Sequence, residues 1–462
     1  MKIEYGLADG ALLQRGADGF CRCRAKFAAE GNVHASRGEL RPLGGGEYEF
    51  TGLPAGGPYE VTFTDDAGSR TLRLWVGDLW MLGGQSNMEG AGLVEEREIL
   101  EKQQTPAYIR CYRLYNKWDT ASPVFSEPWF SPDACQRDFV RRARLESPWK
   151  QEEPAYLPCG MPRRGVGPGL YFALRMYEIT GVPQGIVPCA LGGSPLSWWV
   201  PQPENGDNLY AAMLRRLRRA GGYVRGFYWD QGESETWRAE GFTEEMIALF
   251  SAVRRDFGAP DLPVVQTQIA QVNIPASCTQ AAGDGWMRVR EWQRTLGEKV
   301  ENLATVASID GDFDDLIHLS SATQRKMGAR AANAMAHLCG LGGCPPPQLE
   351  GVRIRKEFSE PFNYVFDVHF TNAETLSAAG RPAGFMVRAA SETNVPLNPF
   401  SGVSRLRLRG NVAEVHSEIS ASPEEAVLFY GYGNMSYCNI VTETGYSLPA
   451  FGPVKAKDML LR

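Results

Sequence analysis

The spacing of apolar and polar positions divides the chain into three stretches. From residue 1 to about 73, short segments such as YEFTGL, YEVTFTD and SRTLRLWV alternate apolar and polar positions between Gly, Pro and Asp turns. A period of two predicts strands, so residues 1–74 are expected to form an N-terminal β-sandwich-like module. From about 75 to 340, apolar runs alternate with segments of helical period. The runs are LWVGDLWML, YIRCYRLY, VPQGIVPCAL, VRGFYWD, LPVVQTQIAQV and LATVASIDGDF. Helices are expected at about 93–102, 169–180, 209–220, 242–257 and 287–299, and again after a cap at Ser320 or Ser321. Strand and helix in alternation predict an α/β domain over 75–345, a parallel sheet with helices on both faces. Cys344-Pro345-Pro346-Pro347 reads as a stiff linker. Beyond it, YVFDVHFT, GFMVRA, RLRLRG, VAEVHSE and AVLFYGY return to period two, so 346–462 is expected to be a second β domain.

Two stretches of the pattern need more care. Residues 116–167 are rich in Pro, Trp and Arg and only weakly periodic. Long irregular stretches inside a domain are usually functional or mobile. This one is expected to wall a substrate site, with Trp118, Trp129 and Trp149 as surfaces on which a sugar could stack. In LYAAMLRRLRRA, residues 209–220, the arginines are expected to form a solvated face.

On a parallel sheet, ligands bind at the carboxyl ends of the strands. Four polar turns follow predicted strands: the turn of Ser86, Gly192-Gly193, Gln231-Gly232-Glu233, and Asp315 to His318. The first is the sharpest. An apolar run ends at Gly83-Gly84 and presents Gln85-Ser86-Asn87. A tight strand-to-helix turn is where α/β enzymes expose a nucleophile, so Ser86 is the candidate, with Gln85 and Asn87 beside it as candidate substrate or supporting contacts.

A serine nucleophile needs a base, and the chain has five histidines. His34, His369 and His416 lie in the β stretches, and His337 lies within an alanine-rich helix, where packing is expected. His318, between a strand and a helix, is the candidate base. Asp315, three residues upstream, is placed to hold its far ring nitrogen, with Asp314 as the alternative. An oxyanion needs donors: the backbone N–H groups of Gly193 and Ser86 and the side-chain amide of Gln231 are candidates. One such donor is worth about 3 kcal/mol in the transition state. Glu233 accepts only, so its expected work is to orient Gln231 or a neighbouring backbone group, or to hold a substrate hydroxyl. Trp198, Trp199 and Trp237 adjoin these turns and are candidate sugar-ring contacts.

Composition narrows the classes further. The 462 residues carry a net charge of −6 without a basic run, which argues against nucleic acid as a partner. No apolar stretch reaches the ~20 residues of a membrane span. Ten cysteines are scattered; the close pairs Cys21/Cys23 and Cys339/Cys344 lack metal-knuckle spacing, so reduced thiols are expected. The first residues lack the apolar core of a secretory signal, and a cytoplasmic location is expected unless a signal has been removed. No metal-binding, nucleotide-phosphate or dinucleotide motif is present, so neither metal nor cofactor is expected.

Taken together, GQSNMEG, LGGSPLSWW, WDQGESE and DDLIH, in this order, resemble the carbohydrate-esterase branch of the SGNH (GDSL-like) hydrolases. The sialate O-acetylesterase family is the nearest in pattern, with acetylxylan esterases close by. The closing YGYGNMSYCNIVTETGYSLPAFGP resembles that family's last segment. The resemblance implies a three-layer α/β/α catalytic domain. It implies Ser86 as nucleophile, His318 as base, Asp315 as its orienter, and Gly193 and Gln231 in the oxyanion hole. The activity it implies is that of a cofactor-free serine esterase removing O-acetyl groups from carbohydrates, sialate foremost. One position departs: Gly83 stands where the family often has Cys or Ser. The alternatives are an acetylxylan esterase, a general acyl esterase with an apolar acyl groove, and a carbohydrate-binding protein without activity.

Overall fold

The structure is a computed structural model that describes residues 1–146, 163–238, 240–273, 280–356, 363–389, 402–419 and 422–461. Its longest strand, Gly68–Gly84, belongs to two assemblies at once. The first half pairs antiparallel with Gly56–Asp65, and Trp75–Gly77 pair parallel with Leu12–Gln14. The second half pairs parallel with Gln184–Pro188 on one side and Gly226–Asp230 on the other. The expected boundary at 74/75 therefore falls inside one unbroken strand.

The mainly parallel sheet runs Trp118–Thr120, Ile109–Tyr112, Gln184–Pro188, Gly68–Gly84, Gly226–Asp230, Val264–Gln268, Leu303–Ala307. Every neighbouring pair is parallel except the first. Its inner strands are buried throughout, because helices cover both faces; this is why they read as continuous apolar runs rather than alternating ones. The period of two still sorts their side chains. Leu79 and Met81 join one core with the N-terminal module and the helices Leu209–Arg219 and Phe242–Asp256. Trp80 and Leu82 join another core with the helices Gly169–Thr180 and Ser321–Leu338. The result is the three-layer α/β/α arrangement that the alternation predicts.

Several elements differ from expectation, each for a local reason. The helix expected at 93 begins at Glu96, because Gly92–Leu93 pair with Arg164–Val166 and Glu95 and Glu98 form a reciprocal cap. Part of the stretch read as irregular, Ala134–Glu146, is helical. Trp118 is buried in a strand against Tyr112, with ring centroids 5.2 Å apart, so it is a packing residue. Trp149 lies outside the described residues. Arg216 is not part of a solvated face; it is completely buried and donates to the carbonyls of Pro188 (2.8 Å), Tyr112 and Arg113. His337 is exposed in the last turn of its helix rather than packed. Gly83 has a packing reason: a Cβ there would stand 2.9 Å from the Phe227 ring and 3.0 Å from that of Trp229.

After the proline linker, Gln348–Lys356, Asn363–Thr371, Val412–Glu418 and Val403–Arg409 form a four-stranded antiparallel sheet, and Phe385–Arg388, Val427–Tyr430 and Phe451–Lys455 a three-stranded one. They enclose a core of their own, which Ile309 joins from the loop after Leu303–Ala307. Side chains dock this region onto the mainly parallel sheet. Gln268 exchanges two 2.8 Å hydrogen bonds with the backbone of Ala450, and the buried Arg290 donates to the carbonyls of Gly431 and Gly433. The cysteines among the described residues are free thiols, and no described helix is long and apolar enough to cross a membrane.

Candidate active site

The end of Gly68–Gly84 is shaped by contact with its neighbour. Gly84 has φ +132°, and a Cβ on it would overlap the carbonyl oxygen of Asp230 at 2.0 Å. Only glycine lets the chain turn this close to the adjacent strand. Gln85 N–H then donates to the same carbonyl at 2.8 Å. The one-turn helix Ser86–Glu89 follows. As its first residue, half-buried Ser86 keeps a backbone N–H with no acceptor inside the helix.

The turn after Gln184–Pro188 lies against Ser86. Leu191 N–H donates to the Gly84 carbonyl at 3.1 Å, and Gly192 N–H donates to Glu89 Oε2 at 2.5 Å. A Cβ on Gly192 would stand 3.5 Å from Ser86 Cβ. Gly193 is exposed at φ +73°, in the left-handed region, and among the described residues only the Phe139 ring lies near its missing Cβ.

His318 lies in the loop before the helix Ser321–Leu338, which Ser320 caps by accepting from Thr323 N. Asp315 Oδ2 stands 2.8 Å from His318 Nδ1. Asp315 Oδ1 accepts from the backbone N–H groups of Ile317 (2.9 Å) and His318 (2.8 Å). Burial works to raise the Asp315 carboxyl, but these donors outweigh it and hold the group below its ordinary value. A carboxylate can only accept, so Nδ1 carries the proton and Nε2 is left as the basic nitrogen. Asp314 is not the orienter. Its Oδ2 accepts from Leu93 N (2.7 Å) and Ser321 N (3.2 Å), tying the loop to the short strand beside it.

Asn87 joins the Ser86 turn to the His318 loop. Its amide oxygen accepts from Leu319 N–H at 3.0 Å, its amide nitrogen donates to Glu233 Oε1 at 2.8 Å, and its carbonyl accepts from Gln324 at 3.1 Å. The residues next to Ser86 and next to His318 are thus bonded to each other. Gln85 does similar work: its side-chain oxygen accepts from Ser234 N–H at 3.3 Å. Both are buried and serve as internal ties. Glu233 lies beneath them. Burial pushes its carboxyl up, against which the Asn87 bond and the field of His318 pull down. Asp230, completely buried next to it, is pushed well up by burial and by the charge of Glu233.

Gln231 does not serve as an oxyanion donor. It is fully buried, and its amide nitrogen donates to the Ser194 carbonyl (3.2 Å) and to the Glu235 carboxylate. Both partners are acceptors, so the amide orientation is fixed and its hydrogens are spent. Glu235 in turn accepts from Leu196 N at 2.7 Å, and burial raises its carboxyl to about 7. The Gln-x-x-x-Glu pair thus braces the turn at 194–196.

The tryptophans also separate. Trp199 is core: it is 1% exposed, its indole N–H donates to Ser194 Oγ at 3.1 Å, and it meets Trp229 edge-on at 5.0 Å. Trp198 is half-buried against Phe139, with centroids 4.8 Å apart. Trp237 is 64% exposed. One residue the sequence did not flag enters here. Arg164 donates to Asp315 Oδ2 at 3.0 Å, and also to the carbonyls of Ala91 and Asp314.

A probable carbohydrate esterase of Arabidopsis thaliana is 28% identical over 275 residues, which is 56% of this chain and 91% of that protein. A carbohydrate acetylesterase from Xanthomonas citri superposes over 97% of this chain and 98% of its own, with a TM-score of 0.70 at 21% identity, and so shares the fold from end to end. The model of a carbohydrate-esterase family described as sialic acid-specific acetylesterases matches residues 76–337. The chain belongs to that family and is a carboxylic ester hydrolase, a carbohydrate acetylesterase whose substrate is an acetylated carbohydrate.

Proposed function

We propose that the chain removes O-acetyl groups from sialic acid by two-step acyl transfer through Ser86, His318 and Asp315. The observation that carries this reading is the ordered pair Asp315–His318, 2.8 Å apart, on a loop bonded through Asn87 to the nucleophile turn. His318 Nε2 takes the Ser86 proton as Oγ attacks the acetyl carbon. The backbone N–H groups of Gly193 and Ser86 donate to the oxyanion that forms. As the C–O bond to the sugar breaks, the imidazolium returns the proton to the departing hydroxyl. Water, deprotonated by the same nitrogen, then attacks the acetyl-Ser86 ester; acetate leaves and the proton returns to Oγ. Asp315 stays ionised throughout and stabilises each imidazolium. Trp237 is the aromatic surface available to the sugar.

The test is acetate release from O-acetylated sialic acid and from acetylated xylo-oligosaccharides, side by side, with Ser86→Ala as the control. Release from the sialic acid alone, abolished by the substitution, supports the reading. Release from xylo-oligosaccharides alone moves the assignment to acetylxylan, and Ser86-independent turnover removes Ser86 from the chemistry.

A further inference from the structure

Asp315 Oδ2 receives two donors: His318 Nδ1 at 2.8 Å and Arg164 Nη1 at 3.0 Å. Arg164 is itself fixed. The same Nη1 donates to the Ala91 carbonyl at 3.2 Å, Nη2 donates to the Asp314 carbonyl at 3.3 Å, and its backbone is held in the strand pairing with Gly92–Leu93. All three side chains keep access to solvent: Arg164 is 45% exposed, Asp315 31% and His318 26%. Resting on the reading of Asp315 as the partner of a catalytic His318, we propose that Arg164 is a positioning residue. It shares the Asp315 carboxylate with the imidazole and so limits how strongly that carboxylate favours the imidazolium.

The argument is electrostatic. A carboxylate beside an imidazole favours the charged ring, and a fixed cation on the same oxygen offsets part of that effect. Among the described residues, the charged groups around His318 are these. Asp315 sits on its own loop. Glu233, from the loop after Gly226–Asp230, acts through its field and is itself pushed up by burial beside Asp230. Asp314 is turned to Leu93 N and Ser321 N, and Glu89 to Gly192 N. Arg164 is the cation bonded to the orienting carboxylate. Without it, the ring holds its proton to higher pH, and the base is disabled over more of the acidic range.

The experiment compares wild type, Arg164→Gln and Arg164→Lys by the pH profile of kcat/KM on a simple aryl acetate. Arg164→Gln should move the acidic limb upward by about 0.5–1 pH unit, the scale of one nearby charge in a partly solvated site. Arg164→Lys keeps the charge and should leave the limb within about 0.2 unit of wild type, while kcat falls because the ties to Ala91 and Asp314 are lost. A uniform loss of rate in the Gln variant with an unmoved limb overturns the proposal, as does a limb that moves equally in both variants. A second readout works without turnover: the pH at which the His318 ring resonances titrate by NMR, in a Ser86→Ala background with and without Arg164→Gln. An upward move supports the proposal even if the nucleophile assignment fails, and coincident titrations overturn it even if Ser86 is proven. If Arg164→Gln does not fold, Arg164→Lys decides alone, because a displaced limb in that variant contradicts a role for the charge.

Discussion

Asp315 and the pair Asp230/Glu233 occupy two levels of the same site and respond to it in opposite ways. At the rim, Asp315 is partly exposed and meets only donors, two backbone N–H groups, a ring nitrogen and a guanidinium, so its charge is favoured. On the floor, Asp230 and Glu233 are buried side by side, each with an oxygen lacking a hydrogen-bond partner among the described residues, so charge there is disfavoured. The same functional group is thus used for two purposes. The rim carboxylate holds the His318 ring. On the floor, Glu233 holds Asn87, and Gln231 with Glu235 braces the turn at 194–196. Position relative to water decides the difference, not residue type.

The sharpest way to break this comparison is at the rim. Asp315→Asn should keep the fold but lower kcat by about 10⁴-fold, because the amide no longer fixes the reactive tautomer; steady-state kinetics beside a thermal melt check both halves. If the rate survives within tenfold, Asp315 is not the orienter.

Gln231→Met probes the floor. It leaves the Ser194 carbonyl and one Glu235 oxygen without their donor. Chemical denaturation should report a loss of about 1–3 kcal/mol, with kcat changed only a few-fold. A fall of about 100- to 1,000-fold in kcat at unchanged stability would instead return Gln231 to the oxyanion hole.

The smallest effect is in the pH dependence of stability. A carboxyl raised by folding binds its proton longer in the native state, so the stability it supports is present at low pH and lost as pH climbs toward the raised value. Asp315 has the opposite sign: its contribution is present above the unfolded value and lost as pH falls through the lowered one. Asp230→Asn should therefore flatten the decline that sets in as pH rises above the unfolded carboxyl value of about 4, by up to about 1.4 kcal/mol per pH unit for each proton involved, and leave the loss below that value unchanged. Melting curves from pH 5 to 9 decide this; parallel curves for variant and wild type would mean that Asp230 is not held protonated.

What the sequence made legible follows the same division. Ser86, Gly193, Asp315 and His318 stand where an apolar strand run gives way to small or polar residues, and that break is visible in one dimension. Gln231 stands at an equally clear break, yet whether it turns toward the oxyanion or inward depends on Glu235 and Ser194, and nothing in the strand pattern encodes that. Arg164 was hidden for a simpler reason: its partner lies 151 positions away, and no local period links them. Arg216 misled because a helix rich in arginine looks solvated. Its guanidinium is instead consumed by carbonyls at the ends of neighbouring strands, a use that leaves no mark on an amphipathic pattern.

The strand Gly68–Gly84 has a consequence for how relatives could exchange parts. Its first residues close a hairpin with Gly56–Asp65 and its last residue leads into the nucleophile turn. Inserting or deleting one residue between 75 and 84 would turn every following side chain to the opposite face, exchanging the two cores and displacing the Ser86 turn. A graft of a foreign N-terminal module must be joined upstream, in the tight turn at 65–68, and must bring a strand whose register already matches Leu12–Gln14. Within this strand, parts of relatives can be joined only where the register is preserved.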